Sequence, residues 1–268
     1  MPSGLTTHYA ALAHERTQGW PQGAELDDLN ELLRLMGRWR SRVLANTFLH
    51  HHGARIWSGP FAGMDYVTEA TEGVLIARLL GTYESELHPH LATIVGAGLD
   101  CVIDVGCAEG YYAVGLARLA SDATVYAYDI DEHARAACAE LAAKNGVAER
   151  VVIGEAFAPD GFEAFRGRRT LVLVDAEGAE VDILQPALSP ALAGMNIVVE
   201  THDLYRPGAM AAMLERFSAS HDIVRVDQQQ KTFVMPDWLK ALPQLDQLLA
   251  VWEWRARPTP WLVMRPKL

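Results

Sequence analysis

Residues 24–49 carry Leu26, Leu29, Leu33, Met36, Val43 and Leu44 at three- to four-residue spacings for most of their length, the stripe of an amphipathic helix. Residues 55–67, RIWSGPFAGMDYV, place aromatic and β-branched positions around Gly59-Pro60 and Gly63 and predict a short hairpin or an irregular lid. From Thr71 to about Val95 the pattern is helical again, interrupted near Pro89, and residues 96–98 close it. After Asp100 the runs shorten. CVIDV, TVYAYD, VVI, TLVLVD and NIVVE alternate with helical stretches at 111–119 and 132–144, the second bounded by Asp131 as N-cap and Asn145-Gly146 as stop. TLVLVD and NIVVE are almost wholly apolar, as strands covered on both faces must be. A helix over 208–217 and strands DIVRVD and WLVMR complete a predicted seven-stranded, mostly parallel α/β sheet of Rossmann-like type. Residues 1–98 form a helical N-terminal extension that caps or dimerises the 99–268 domain, and a helical insertion rich in Trp and Leu spans about 236–257.

Half of the 268 residues are hydrophobic and 21% are charged, the balance of an ordered globular chain. Lys plus Arg number 23 against 34 for Asp plus Glu, a net charge of −11 that argues against broad adhesion to nucleic acid or anionic lipid. The first twenty residues lack a basic start followed by an apolar run, and no stretch of about 18 apolar residues occurs, so no membrane role and a cytoplasmic location are expected. Cys101, Cys107 and Cys138 have no paired metal-ligand spacing and are expected as reduced thiols.

The first strand leads into DVGCAEG, which sets Asp104, Gly106, Ala108 and Gly110 at alternate positions before a helix. Small residues there let a ligand approach the backbone closely. A dinucleotide loop would want a third glycine where Tyr111 stands, and Asp104 and Glu109 would repel a diphosphate. They suit a cation. S-adenosylmethionine carries a sulfonium and an ammonium and no phosphate, which matches that demand. Asp129, ending the second strand, is placed to accept both ribose hydroxyls, Ile130 to lie against adenine, and Glu155 and Ala156 to bound the adenine edge. Asp129 and Glu155 are also readable as ordinary strand-end carboxylates.

Taken together, DVGCAEGYYAV, YAYD, VDAEGAE and VVETHD resemble class I S-adenosylmethionine-dependent methyltransferases, and more narrowly the FkbM family. GTYE at 81–84 is similar to a segment that precedes the first strand in that family, which puts Tyr83 and Glu84 near the cofactor. The resemblance covers roughly residues 79–230. Cys107-Ala108-Glu109 departs from the Ala-Asn common at that point, so a subgroup with its own substrate is expected. The implied activity is methyl transfer to a small metabolite, most readily at oxygen, with N-methylation, a non-catalytic cofactor binder and a nicotinamide oxidoreductase as alternatives.

Methyl transfer needs chiefly a well-placed acceptor, and a hydroxyl acceptor also benefits from a base. Asp175 and Glu177 follow the fourth strand; Glu200, His202 and Asp203 follow the fifth. His202 is the preferred base because imidazole titrates near neutrality, with Asp175 or Glu200 beside it. A divalent ion held by Asp175, Glu200, His202 and Asp203 is a less favoured alternative, and the expectation is no metal. Glu180 reads as a charge on the first turn of a helix. Arg34, Arg38, Arg40, Arg42 and Arg55, interleaved with Trp39, Phe48, Trp57 and Phe61, suit a subunit contact or an anionic substrate better than RNA. His50, His51 and His52 are expected in a loop. Tyr111, Tyr112, Trp238, Trp252 and Trp254 are expected to pack, with one or two of them lining an apolar pocket.

Overall fold

The computed structural model describes residues 4–20, 23–69, 74–255 and 257–267. Its elements run α1 (Gly4–Thr17), α2 (Leu26–His52), α3 (Leu75–Leu80), α4 (His88–Gly96), β1 (Cys101–Val105), α5 (Tyr111–Leu119), β2 (Thr124–Tyr128), α6 (Glu132–Lys144), β3 (Val151–Gly154) and β4 (Thr170–Val174). They continue with α7 (Glu180–Ile183), β5 (Asn196–Glu200), α8 (Ala209–Phe217), β6 (His221–Val226), α9 (Asp237–Lys240), α10 (Gln244–Ala250) and β7 (Trp261–Pro266).

The strands form one sheet in the order β3-β2-β1-β4-β5-β7-β6, in which β7 alone runs antiparallel to its neighbours. The seven predicted strands are all present. Period-two alternation sends Val102, Leu171, Leu173 and Val198 into one apolar cluster and Ile103, Val172, Val174 and Val199 into the other, so both faces are covered. The chain reverses direction across the sheet between β1 and β4, and the carboxyl ends of these two strands open the crevice where ligands settle in such folds.

Among the described residues the N-terminal region has no core separate from that of the sheet. Leu44, Phe48, Ile56, Phe61, Met64, Tyr66, Leu79 and Leu80 belong to the same apolar cluster as Val102 and Leu171. The segment over 55–67 makes a single antiparallel bridge, Arg55 to Asp65, and the Asn145 side chain pins it by accepting from Asp65 N (3.0 Å) and donating to Asp65 O (2.9 Å). The helix expected from Thr71 to Val95 is broken, and Thr71 itself lies outside the described residues. Gly81, at φ 73°, ends α3 where a Cβ would fall 1.9 Å from Ser58 O, and Pro89 sits in the first turn of α4 rather than interrupting it.

Other expectations also change. α1 carries no clear apolar stripe, so periodicity did not reveal it; it packs through buried Tyr9, and Trp39 Nε1 donates to Thr6 Oγ1 at 3.3 Å. α2 runs through His52, so the three histidines form its last turn, where positive charge suits the helix dipole, and are not in a loop. Its stripe is buried only in its second half: Leu44 and Phe48 are covered, whereas Leu26, Leu29 and Leu33 are 75%, 51% and 71% exposed. Leu33 and Trp39 line a groove of about 760 Å³ against Leu245, Leu248 and Trp252 of the insertion. No helix among the described residues is long and apolar enough to cross a membrane.

The segment between β6 and β7 folds back over this end of the sheet and is fixed by polar contacts to distant parts of the chain. Arg40 donates to both Asp246 oxygens (2.6 and 2.7 Å), Trp254 Nε1 to Ser41 Oγ (2.8 Å) and Trp57 Nε1 to Val234 O (2.7 Å). Lys231, its side chain 3% exposed, pairs with Glu253 at 2.6 Å and with Glu86. Removing a buried cation leaves its carboxylates unmatched, which typically costs about 3 to 5 kcal/mol. Lys231→Met is therefore expected to lower the unfolding free energy read from urea titration by that amount, whereas Lys240→Met, whose partner Asp237 is on the surface, leaves it nearly unchanged.

Candidate functional site

The turn after β1 is shaped by backbone bonds. Gly106 N and Cys107 N donate to Tyr128 O (2.9 and 3.0 Å), and Asp175 N donates to Val105 O (3.0 Å), which ties the ends of β1, β2 and β4 together. At φ 85° Gly106 has no room for a side chain, because a Cβ would stand 1.8 Å from Asp175 O. Ala108 adopts φ 46° and donates its N–H to Asp129 Oδ2 at 2.9 Å, while Asp131 N donates to Asp129 Oδ1 at 2.9 Å. The Asp129 carboxylate is thus oriented by two backbone donors and keeps lone pairs for a ligand.

Around this turn lies a cavity of about 280 Å³. Of the residues expected to hold a cofactor, Gly106, Ala108, Asp129, Ile130, Glu155, Ala156 and Asp175 line it, together with Arg78, Tyr128, Phe157 and Glu177. A second void of about 20 Å³ adjoins it, sharing Arg78, Gly106, Ala108 and Asp175 and adding Asp104, Glu109 and Tyr83. Asp104 is 1% exposed, and among the described residues its carboxylate oxygens have no hydrogen-bond partner beyond the approach of the Ala113 backbone N–H. Burial, reinforced by the nearby Asp129 charge, pushes its pKa up to about 7.

Three expected cofactor residues have other roles in the chain, although Glu109 also lines the smaller void. Glu109 lies under the turn, where Tyr66 Oη and Arg78 Nη1 both donate to Oε1, so its charge is matched inside the protein. Glu84 is fully buried at φ 47° and accepts from Tyr112 Oη and Arg255 Nη2; burial and the Glu200 charge raise its pKa to about 7. Gly110 lines neither void and instead makes room for Cys138, whose Sγ would be 2.8 Å from a Cβ there. Arg78 was not anticipated. Its guanidinium stacks 4.6 Å from the Tyr83 ring centre, and the only signal in the sequence is an arginine inside the apolar run VLIARLL.

The candidate acceptor residues do converge. His202 Nε2 stands 3.4 Å from Glu200 Oε2 and 3.6 Å from Asp175 Oδ1, and Nδ1 faces Glu180 Oε1 at 3.6 Å. Burial works against the imidazolium, but Glu180, Glu200 and Asp175 outweigh it and raise the His202 pKa to about 10. Within the chain alone these acids favour the imidazolium at neutral pH, where the sequence led to the expectation of a neutral base. Burial and the neighbouring Glu200 and Glu84 charges push the Asp175 carboxyl well up, while His202 and Arg255 bring Glu200 down to about 2 against its own burial.

Glu180 begins α7, but its fully buried carboxylate accepts from Gly178 N (2.7 Å) and His202 N (2.8 Å), so it joins the turns after β4 and β5 instead of charging an exposed helix end. Asp203 is outside the cluster and accepts from Gly208 N (2.9 Å) and Met210 N (3.3 Å) at the start of α8. The arginine-aromatic segment is largely engaged within the chain: Arg40 with Asp246, Arg55 with Asp65, and Arg38 and Arg42 within 5.5 and 5.7 Å of the Trp254 ring.

Residues 90–166 match the family model described as ribosomal protein L11 methyltransferase (PrmA). No curated protein matches the chain. Among solved structures, a putative O-methyltransferase from Klebsiella pneumoniae is similar at 11% identity and TM-score 0.49, over 98% of this chain and 99% of that one. A putative rRNA methylase from Clostridium thermocellum is similar at 15% identity and TM-score 0.47 (68% and 96% covered), and the O-methyltransferase from Bacillus cereus in complex with SAH at 13% and 0.47 (66% and 78%).

The state of Asp104 has a measurable consequence. Its pKa is raised in the fold above roughly 3.9 in an unfolded chain, so ionising it is uphill in the native state, and stability without ligand falls as pH rises from about 4 through 7. Relative to its value at pH 4, the stability of Asp104→Asn should exceed that of the wild type at pH 8 by an amount on the order of 3 kcal/mol, read from urea unfolding across that range. Parallel curves for the two proteins would show that Asp104 does not titrate in this way.

Proposed function

We propose that this protein is an S-adenosylmethionine-dependent methyltransferase acting on a small metabolite at oxygen. The observation that carries the reading is the buried Asp104, which no side chain or cation answers among the described residues, in a void that opens into the Asp129 cavity. A solvent-excluded carboxylate with no opposite charge is costly until a cation reaches it. Asp104, Asp129, Glu155 and Asp175 surround the two spaces, and the guanidinium of Arg78 on their wall already faces Glu109. A nucleoside bearing positive charge suits that surround, and a diphosphate does not.

S-adenosylmethionine supplies a methyl group on a positively charged sulfur. In this reading Asp129 accepts the ribose hydroxyls, Ile130 and Phe157 flank the adenine, and Glu155 and Ala156 bound its edge. Asp104 offsets the ammonium, and Arg78 is the residue for the carboxylate at the same end. Gly106 and Ala108 hold the backbone back so that both ends fit one crevice. Asp175, on the cavity wall, takes the acceptor hydroxyl proton, because burial makes its carboxylate a stronger base than an ordinary aspartate. Glu200 and the His202 imidazolium keep Asp175 in place.

The FkbM-like assignment is supported by the loop and by the acids after β4 and β5, and it is strained by Glu84, whose partner is Arg255. The net charge of −11 and the internal use of Arg38, Arg40, Arg42 and Arg55 favour a small acceptor over RNA. Buried thiols at Cys101, Cys107 and Cys138 suit the reducing cytoplasm, and exposed Leu26, Leu29 and Leu33 suit pairing of two copies through α2.

Calorimetry tests the assignment. S-adenosylhomocysteine is expected to bind the wild type, NAD not to bind, and Asp129→Ala to weaken binding about tenfold or more while the loss of its two backbone bonds lowers the ligand-free melting temperature by only a few degrees. Binding of NAD in preference, or an unchanged affinity in Asp129→Ala, overturns it.

A further inference from the structure

The turns after β4 and β5 bring together two carboxylates and one imidazole. One ligand atom each from Asp175, Glu200 and His202 lies within 4.8 Å of the others. The imidazole is presented deliberately by its surroundings: Glu180, itself fully buried, holds the His202 backbone N–H at 2.8 Å and faces Nδ1 at 3.6 Å, which turns Nε2 toward Asp175 and Glu200. At 3.6 Å this is an approach of opposite charges and not a hydrogen bond, Nδ1 being buried without a bonded partner among the described residues, and it stands where a carboxylate usually supports a metal-ligating imidazole. Glu200 is likewise held from behind, since Arg255 Nη1 and Thr259 Oγ1 both donate to Oε1, leaving Oε2 toward His202.

The spacing is the second observation. Nε2 stands 3.4 and 3.6 Å from its carboxylate neighbours, longer than the roughly 2.7–2.9 Å of a charge-assisted hydrogen bond. Two ligands about 2.1 Å from a common ion and at roughly tetrahedral or octahedral angles stand about 3.0 to 3.4 Å apart. Charge points the same way. Glu84, Glu180, Glu200 and Glu253 are each no more than 5% exposed and Asp175 is partly covered, while the permanent cations among them are Arg255 and Lys231. His202 answers part of that excess as an imidazolium, and an ion bound at Nε2 displaces its proton and answers the same acids instead.

We infer that Asp175, Glu200 and His202 form a binding site for one divalent first-row metal ion, with Glu180 as the residue that orients His202. Two carboxylate oxygens and one imidazole nitrogen suit an ion of the Mn²⁺ type, and three protein ligands leave positions open. Asp175 belongs also to the wall of the cofactor cavity, so an open position is directed to the place where an oxygen-bearing acceptor is handled. Resting on the methyl-transfer reading, the ion's role is to bind that oxygen and make its hydroxyl more acidic.

The full-length protein, freed of metal with a chelator and titrated with Mn²⁺, is expected to take up one equivalent, followed by the loss of the free-ion electron paramagnetic resonance signal. His202→Gln and Asp175→Asn should each weaken uptake about tenfold or more. Asp203→Asn, outside the cluster, should bind as the wild type does. If His202→Gln fails to fold, Asp175→Asn, whose side chain is 29% exposed, decides the matter. No uptake by the wild type at millimolar Mn²⁺, or uptake unchanged in the folded variants, overturns the site and leaves the His202 imidazolium as the cluster's own cation. Binding of S-adenosylhomocysteine, measured in the same samples by thermal shift, separates the two readings. Homocysteine-nucleoside binding without Mn²⁺ uptake defeats the metal site alone, and Mn²⁺ uptake without it defeats the cofactor assignment alone.

Discussion

Negative charge buried at the carboxyl ends of β1, β4 and β5 is the constraint around which this end of the molecule is organised. Asp104, Asp175, Glu180 and Glu200 come from the sheet and the turns after it, and Glu84, Glu109 and Glu253 face the same region. Carboxylates taken out of water demand donors or cations, and an arrangement that fails to supply them loses several kcal/mol per group. Each acid at this rim is answered differently. Glu109 has Arg78 and Tyr66, Glu84 has Arg255 and Tyr112, Glu180 has two backbone N–H groups, and Asp104 has no side-chain or cationic partner among the described residues.

The answering cations come from outside the central sheet. Arg78 is delivered by α3, Lys231 and Arg255 by the segment between β6 and β7. The peripheral parts of the chain are therefore more than a cover. They neutralise what the sheet cannot, and they do so selectively, so that the acids they leave unmatched lie along the cavity that runs from Asp104 past Gly106 to Asp129 and Asp175. Packing and electrostatics are coupled here: Leu79, Leu80 and Phe48 join the sheet's own apolar cluster, and that shared core fixes α3 where its arginine can reach Glu109.

Local chemistry explains why the turn after β1 and the acid ending β2 were readable in advance. Small residues at alternate positions, a carboxylate at a strand end, and an N-cap at Asp131 that accepts from His133 N at 2.9 Å all act within a few residues of themselves. The internal bonds of Glu84 and Glu109 were hidden for the opposite reason. Their partners are 171 and 43 residues away in Arg255 and Tyr66, and no spacing along the chain announces such a pair. The same holds for Glu180, whose helix-end position is plain in the sequence while its bond to His202 N, 22 residues on, is not.

By itself the sequence determined the seven strands, their largely parallel character, and the set of small and acidic residues at the first crossover, because hydrophobic periodicity and turn chemistry are short-range properties. Tertiary structure alone decided which of those acids face a cavity and which are spent on internal cations. It also decided that the acids around His202 favour its protonated form, because a buried group's charge is set by the full three-dimensional arrangement of its neighbours and not by its own identity.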